Sequence, residues 1–191
     1  MIIREAKEKD IDEIIKLHLN SFDKNHFSKA FPVDLLRKYF KKFITLNRFC
    51  YVILDETDNK ILGYEIAGFQ TDKTVSEFTS ENFFRLIVVL LLHPEFLVEK
   101  TGEAFKKYFG KSFEKKAKCR LFLIAVNDNY KGKGIGKKLI LHLEENLRKS
   151  GVKLYGLSVR RENKNAIEFY KKTGYVIEFE NRKSIYFYKE L

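Results

Sequence analysis

Apolar positions recur every three or four residues in some stretches and alternate with polar ones in others, so the chain reads as mixed helix and strand. Ile2-Ile3-Arg4 predicts a short opening strand. Asp10 then predicts the cap of an amphipathic helix carrying Ile11, Ile14, Ile15, Leu17 and Leu19. Pro32 predicts the start of a second helix, with Leu35, Leu36, Tyr39, Phe40 and Phe43 on one face. Phe49 to Leu54 and Ile61 to Phe69 are β-rich runs flanking the polar stretch Asp55 to Lys60, the pattern of a hairpin. From Thr71 to Lys116 no strand signature is present. Two helix-like stretches fill that interval, one from Glu81 to Leu92, stopped by Pro94, and one from about Glu95 to Lys115. Regular alternation then returns. Arg120 to Val126 predicts a strand, Gly136 to Lys149 a helix, Lys153 to Val159 a strand and Asn165 to Lys172 a helix. Tyr175 to Phe179 and Ser184 to Tyr188 predict two closing strands.

Length and composition narrow the picture. The 191 residues suit a single domain over 1–191, with a helical insertion over 72–117. Hydrophobic residues at 45% and aromatic residues at 15% supply enough core to exclude global disorder. Cys50 and Cys119 have no CxxC partner or flanking His, so neither a zinc site nor a disulfide scaffold is available, and no metal is expected. Both read as buried thiols of a reducing compartment. Met1 to Glu5 lacks a basic segment leading into an apolar one. The most apolar run, Phe83 to Leu92, contains Arg85 and falls short of the roughly 20 residues that span a bilayer. A cytoplasmic protein is the expectation. The net charge of +11 favours anionic partners, but the lysines are interleaved with apolar positions and no nucleic-acid-binding motif is present, so nucleic acid is not expected.

The most informative stretch runs from Val126 to Leu139. A strand enters a loop with three alternating glycines, Gly132, Gly134 and Gly136, and the loop opens a helix. The first amides of a helix lack intrahelical acceptors and sit at the positive end of its dipole, while glycine lets an anion approach the backbone. A Walker A loop needs a hydroxyl after its lysine, which Gly136-Lys137-Lys138 lacks. A dinucleotide fingerprint needs a wider third glycine spacing and normally lies in the first strand–helix turn. The loop alone leaves a surface turn and a ligand site equally open.

Residues further along decide between them. Lys131, Gly134 and Gly136 resemble the Gln/Arg-x-x-Gly-x-Gly/Ala acyl-CoA loop of the GNAT superfamily of N-acetyltransferases, with Lys131 keeping the cation but not the planar fork. Asn163-x-x-Ala166-x-x-x-Tyr170-x-x-x-Gly174-Tyr175 is similar to that family's Asn-x-x-Ala-x-x-x-Tyr-x-x-x-Gly-Phe block. One helix and one strand separate the two blocks.

The resemblance implies an α+β (mixed α/β) fold, with a mostly antiparallel sheet, a splayed parallel strand pair and the insertion between the third and fourth strands. It implies that acetyl-CoA lies between the strands ending at Val126 and Val159, its pantetheine along Ile124, Ala125 and Val126 and its diphosphate over Lys131, Gly132, Lys133, Gly134, Ile135, Gly136 and Lys137. Asn163 and Tyr170 would also contact it, with Tyr170 donating to the leaving thiolate. No general base declares itself; Glu65 on the third strand is the tentative candidate, beside Asp128 and Ser158. His18 and His26 lie where this fold meets its acceptor, whereas His142 reads as structural. The implied activity is transfer of acetyl to a primary amine of a small molecule, such as an amino sugar or another metabolite, by direct attack in a ternary complex. A protein or peptide amine, or a non-catalytic acyl-CoA-binding module, are the alternatives. The expected partners are therefore acetyl-CoA and a small amine; the sequence does not name the oligomer, and a homodimer is one assembly open to it. The Phe-rich insertion, with Phe78, Phe83, Phe84, Phe96, Phe105, Phe109 and Phe113, could line a pocket, form a lid or make a dimer contact, but self-packing of a helical pair on the sheet is the plainest reading.

Overall fold

β-Branched and aromatic runs pair with their chain neighbours to start the sheet. In the computed structural model, which describes residues 1–22, 26–97 and 115–191, β1 (Ile2–Glu5) lies beside β2 (Phe49–Leu54), which turns into β3 (Ile61–Gly68). The turn is held by the Asp55 carboxylate, which accepts from the Thr57 amide at 3.0 Å and its hydroxyl at 2.8 Å. β3 pairs with β4 (Cys119–Val126), and the sheet order is β1-β2-β3-β4-β5-β7-β6. β5 (Leu154–Arg160) runs parallel to β4, while β6 (Val176–Glu180) and β7 (Ser184–Glu190) close the far edge.

Helices cover both faces. On one, α1 (Ile11–Ser21) and α2 (Val33–Leu46) pack Ile14, Leu35, Leu36, Phe40 and Phe43 onto Val52, Tyr64, Ile66 and Leu123. On the other, α5 (Ile135–Lys149) and α6 (Lys164–Lys172) bury Leu143, Leu147, Ile167 and Tyr170 against Tyr155, Leu157 and Phe187. Each fully buried Phe or Leu contributes roughly 1.5–3 kcal/mol relative to exposure. Between β3 and β4 stand α3 (Thr71–Glu81) and α4 (Phe83–Leu92).

Three local expectations change. Asp10 occupies the position before α1 but makes no side-chain cap there. Its carboxylate instead accepts from the Lys7 amide at 2.7 Å and pairs with Arg4 at 2.6 Å, closing the preceding 3-10 turn. The helix α3 lies in a stretch that the apolar period leaves blank. Thr71 and Thr74 fill two of its buried positions, and Thr74 Oγ1 satisfies itself on the Gln70 carbonyl while accepting from Asn47. In the insertion, Phe78 and Phe96 are buried, but Phe83 is 54% and Phe84 82% exposed, so these two do not pack on the sheet. Of the stretch from about Glu95 to Lys115, only the 3-10 turn Pro94–Phe96 and its immediate flanks fall within the described residues. Cys50 and Cys119 are both buried. No helix among the described residues is long and apolar enough to cross a membrane.

Candidate active site

The site begins where the parallel pair stops. β4 and β5 are paired at Cys119–Tyr155, Arg120–Gly156 and Leu121–Leu157, and no further. Beyond that point the sheet forks. Arg120 sits at the apex, donating to the Leu157 carbonyl at 2.7 Å and pairing with the buried Glu178 at 3.3 Å. On its other side β4 stays paired, with Gly63 opposite Val126 and Glu65 opposite Ile124. The Asn127 amide donates to the Leu62 carbonyl of β3 at 2.8 Å. Alternation along the strand therefore turns the Ile124 and Val126 N–H groups away from β3 and into the fork. A cleft of about 280 Å³ opens there, lined by Ile124, Ala125 and Val126 of β4, by Lys131, and by Asn163 and Asn165 at the head of α6. Ser21 and Phe22 from the end of α1 form its remaining wall, and the Ser21 hydroxyl donates to the Val126 carbonyl at 3.1 Å.

The loop after β4 heads α5. Gly132 and Gly134 adopt φ of 78° and 76°, conformations costly for other residues, and a Cβ at either would meet nothing within 4 Å. Their glycines are thus required by backbone conformation and leave open space beside it, rather than relieving a contact within the protein. At Gly136 a Cβ would make only an ordinary 3.8 Å contact with Val126. The Lys138 amide makes the first intrahelical bond, to the Gly134 carbonyl at 3.0 Å. The amides of Ile135, Gly136 and Lys137 before it are the orphan donors of the helix. Lys131 pairs with Asp128 at 2.7 Å at the surface, and Lys133 lies 4.7 Å over the Tyr130 ring. An open, cationic, amide-lined cradle of this kind fits the diphosphate of an acyl-CoA.

Tyr170 and Glu65 do not line the cleft; both lie just behind it. Tyr170 is 6% exposed, packed against Phe169 at 5.3 Å and Tyr175 at 5.0 Å, in the same cluster as the cleft residue Ile124. Burial pushes its phenol pKa up, and the nearby Glu65 adds to the rise. Glu65 is fully buried, and neither carboxylate oxygen has a hydrogen-bond partner among the described residues. Burial raises its pKa well above the usual carboxylate range, with Glu144 adding repulsion, so the group is held neutral. Asn163 Oδ1 accepts from the Ala166 amide at 3.1 Å, so it caps α6 while also facing the cleft.

Sequence reasoning missed Ser21, Phe22 and Asn165 as cleft residues; nothing in their spacing marks them, because the fold brings α1 to the end of β4. Behind Phe22 runs a buried chain. Tyr64 Oη bonds His18 Nδ1 at 2.7 Å, Ser28 Oγ bonds His18 Nε2 at 2.7 Å, and Ser28 also bonds His26 Nδ1 at 2.7 Å. The Phe22 ring lies 4.4 Å from His18 and 4.7 Å from His26. Burial lowers the His18 pKa to about 3, so that imidazole stays neutral. His142 instead packs edge-on against Tyr51 at 4.7 Å, away from the cleft.

The Acetyltransferase (GNAT) family matches residues 11–175 of this chain. Over 55 residues the chain is 42% identical to the [ribosomal protein bS18]-alanine N-acetyltransferase of Escherichia coli, a match covering 29% of this chain and 37% of that protein. Over 64 residues it is 39% identical to an uncharacterised N-acetyltransferase of Methanocaldococcus jannaschii, covering 34% and 28% respectively. These matches span only about a third of each relative. Among solved structures, PaiA N-acetyltransferase from Thermoplasma acidophilum, in complex with coenzyme A, superposes with a TM-score of 0.60 at 15% identity, over 100% of this chain and 98% of that one. The overall fold thus has a counterpart among solved structures, and with the family match running through most of its length the chain belongs to the GNAT family of acetyltransferases.

Proposed function

We propose that the chain transfers the acetyl group of acetyl-CoA to a primary amine in the fork between β4 and β5. The observation that carries this reading is the coincidence of an interrupted parallel ladder with an open, left-handed glycine loop at the head of α5. Pantetheine would lie along Ile124, Ala125 and Val126 as an added strand. The loop from Lys131 to Lys137 would hold the diphosphate, and Asn163 would contact the cofactor from the head of α6.

Bound acetyl-CoA supplies an activated thioester. The Val126 N–H, turned into the fork, is placed to polarise its carbonyl as negative charge develops on oxygen. Tyr170 would donate toward the sulfur as the thiolate leaves; a phenol whose pKa is raised by burial is a hydrogen-bond donor that keeps its proton until a strong base forms beside it. The amine must lose its proton. Glu65 would take that proton only as the carboxylate, after releasing its own proton to solvent, and through a bridging water, because it stands behind the cleft wall. The acceptor enters past Phe22 and Ser21. A small-molecule primary amine is the first reading of the acceptor. The bS18-alanine specificity in the name of the Escherichia coli relative favours a protein amino terminus as the second reading.

The test is release of free CoA thiol from acetyl-CoA in the presence of small primary amines, amino sugars and short peptides with free amino termini. Amine-dependent release that saturates in both substrates is expected. Acetyl-CoA binding with no turnover on any acceptor class would leave a binding module in place of an enzyme. Turnover on peptides alone would replace the small-molecule reading by the protein one.

A further inference from the structure

The helix α4 carries an apolar surface that nothing in the catalytic reading uses. Its sequence is FFRLIVVLLL, and at about 100° per residue it divides into two halves. Leu86 and Val89 face inward and are buried. Phe83, Phe84, Ile87, Val88, Leu91 and Leu92 occupy the other half, an unbroken arc of about 180°. All six are exposed, from 38% at Ile87 and 54% at Phe83 and Val88 to 70%, 73% and 82% at Leu91, Leu92 and Phe84. A face of this kind costs free energy in water, and scattered exposed residues do not account for it.

We propose that this face of α4 binds a second copy of the chain, making an isologous dimer about a two-fold axis near the middle of the helix. Area and charge select this occupant. With ordinary side-chain areas, the exposed fractions amount to roughly 600 Å² of apolar surface. A standard interface takes roughly 800 Å² from each partner, which the polar rim of α3 would complete. The face itself holds no charge to desolvate, because Arg85, the one charged residue of α4, is drawn back to Asp34 at 2.5 Å. The rim is paired as well: Lys73 with Glu77, Lys42 with Glu77 and Glu81, and Lys115 with Asp72.

A charged membrane is the rival occupant, and the local charges do not attract it. Between Thr71 and Leu97 the chain carries Lys73 and Arg85 against Asp72, Glu77, Glu81 and Glu95. Lys42 and Lys115, which reach across to pair with these acids, bring the described charges around α3 and α4 into balance, so no cationic excess gathers there although the whole chain carries +11. Anionic lipid headgroups attract cationic segments and would find no such excess here. A second α4, neutral along its apolar arc, needs none. In a two-fold packing of antiparallel helices, residues near the axis meet their own copies, so Val88 and Ile87 would lie closest to it.

The experiment is sedimentation equilibrium of the full chain at micromolar concentration, beside the double variant Phe84→Glu/Leu91→Glu. A mass of twice 22.7 kDa is expected for the native chain. The double variant should weaken association by roughly 100-fold or more, because charges would have to be buried unpaired. Its CoA affinity should stay unchanged, since both residues are exposed and distant in sequence from the cleft residues, and it should unfold in a single transition whose midpoint falls only by the lost association. A native chain of 22.7 kDa would overturn the proposal. So would a dimer that survives both substitutions, or binding to phosphatidylcholine vesicles that the variant loses while the native chain stays monomeric. None of these outcomes depends on catalysis.

Discussion

Tyr170 and Glu65 share a face of the sheet, but burial assigns them different chemistry. Tyr170 has a phenol held protonated behind Ile124, so Tyr170→Phe should keep CoA affinity within a few-fold and lower kcat by roughly 100-fold. Unaltered kcat in steady state and single turnover would reduce Tyr170 to packing. Glu65 yields a stability prediction independent of activity. Its folded pKa lies above its unfolded value, so the native state holds a proton that the unfolded chain releases, and stability falls as pH rises from about 4.5 toward the folded pKa. Glu65→Gln removes that loss. The variant should gain on the native protein with rising pH, by up to about 1.4 kcal/mol per pH unit within that window. Parallel stability curves from acid to neutral pH would show that Glu65 is ionised in the folded state. Gly134 at the head of α5 and Asn163 as the cap of α6 were legible in the sequence because positive φ and capping restrict the residue type at each place, whereas Tyr170 was singled out by the resemblance alone. Ser21 and Phe22 were not, since only the docking of α1 across β4 brings them to the cleft.

Among the elements, the fork depends on how firmly its closed end is held. A Cβ at Gly156 would lie 2.8 Å from Arg120 Nη1 and 2.9 Å from the Phe187 carbonyl, and neither the strand backbone nor a guanidinium engaged with Glu178 can yield cheaply. Gly156→Ala should therefore cost about 1–3 kcal/mol in thermal or denaturant unfolding. An unchanged midpoint would mean that Arg120 moves freely and does not fasten the apex. The strands and the helices α1, α2, α5 and α6 could be read from the sequence because each buries one regular stripe or alternates cleanly. The helix α3 could not, since Thr71 and Thr74 occupy inward positions where the apolar period expects hydrocarbon, and at Thr74 hydrogen bonds with Gln70 and Asn47 make that possible. Phe83 and Phe84 misled in the opposite sense. Hydrophobicity predicted burial, but α4 buries Leu86 and Val89 and leaves both phenylalanines outside.

For the whole molecule, the +11 charge has a specific use under the proposed function. Lysines flank the loop heading α5, so positive potential, the helix dipole and the amides of Ile135 to Lys137 converge on one open cradle beside the fork. The central claim is that this cradle holds the diphosphate of coenzyme A. Calorimetric titration of the native chain and of Gly134→Glu with coenzyme A tests it most directly, with the thermal midpoint confirming that the variant folds and Gly134→Ala reporting the strain of a Cβ at positive φ alone. The native chain should bind, and the glutamate, placed with its charge in the open space beside Gly134, should weaken binding at least about 100-fold, roughly 2.7 kcal/mol. Equal affinity in a folded Gly134→Glu variant would contradict the account.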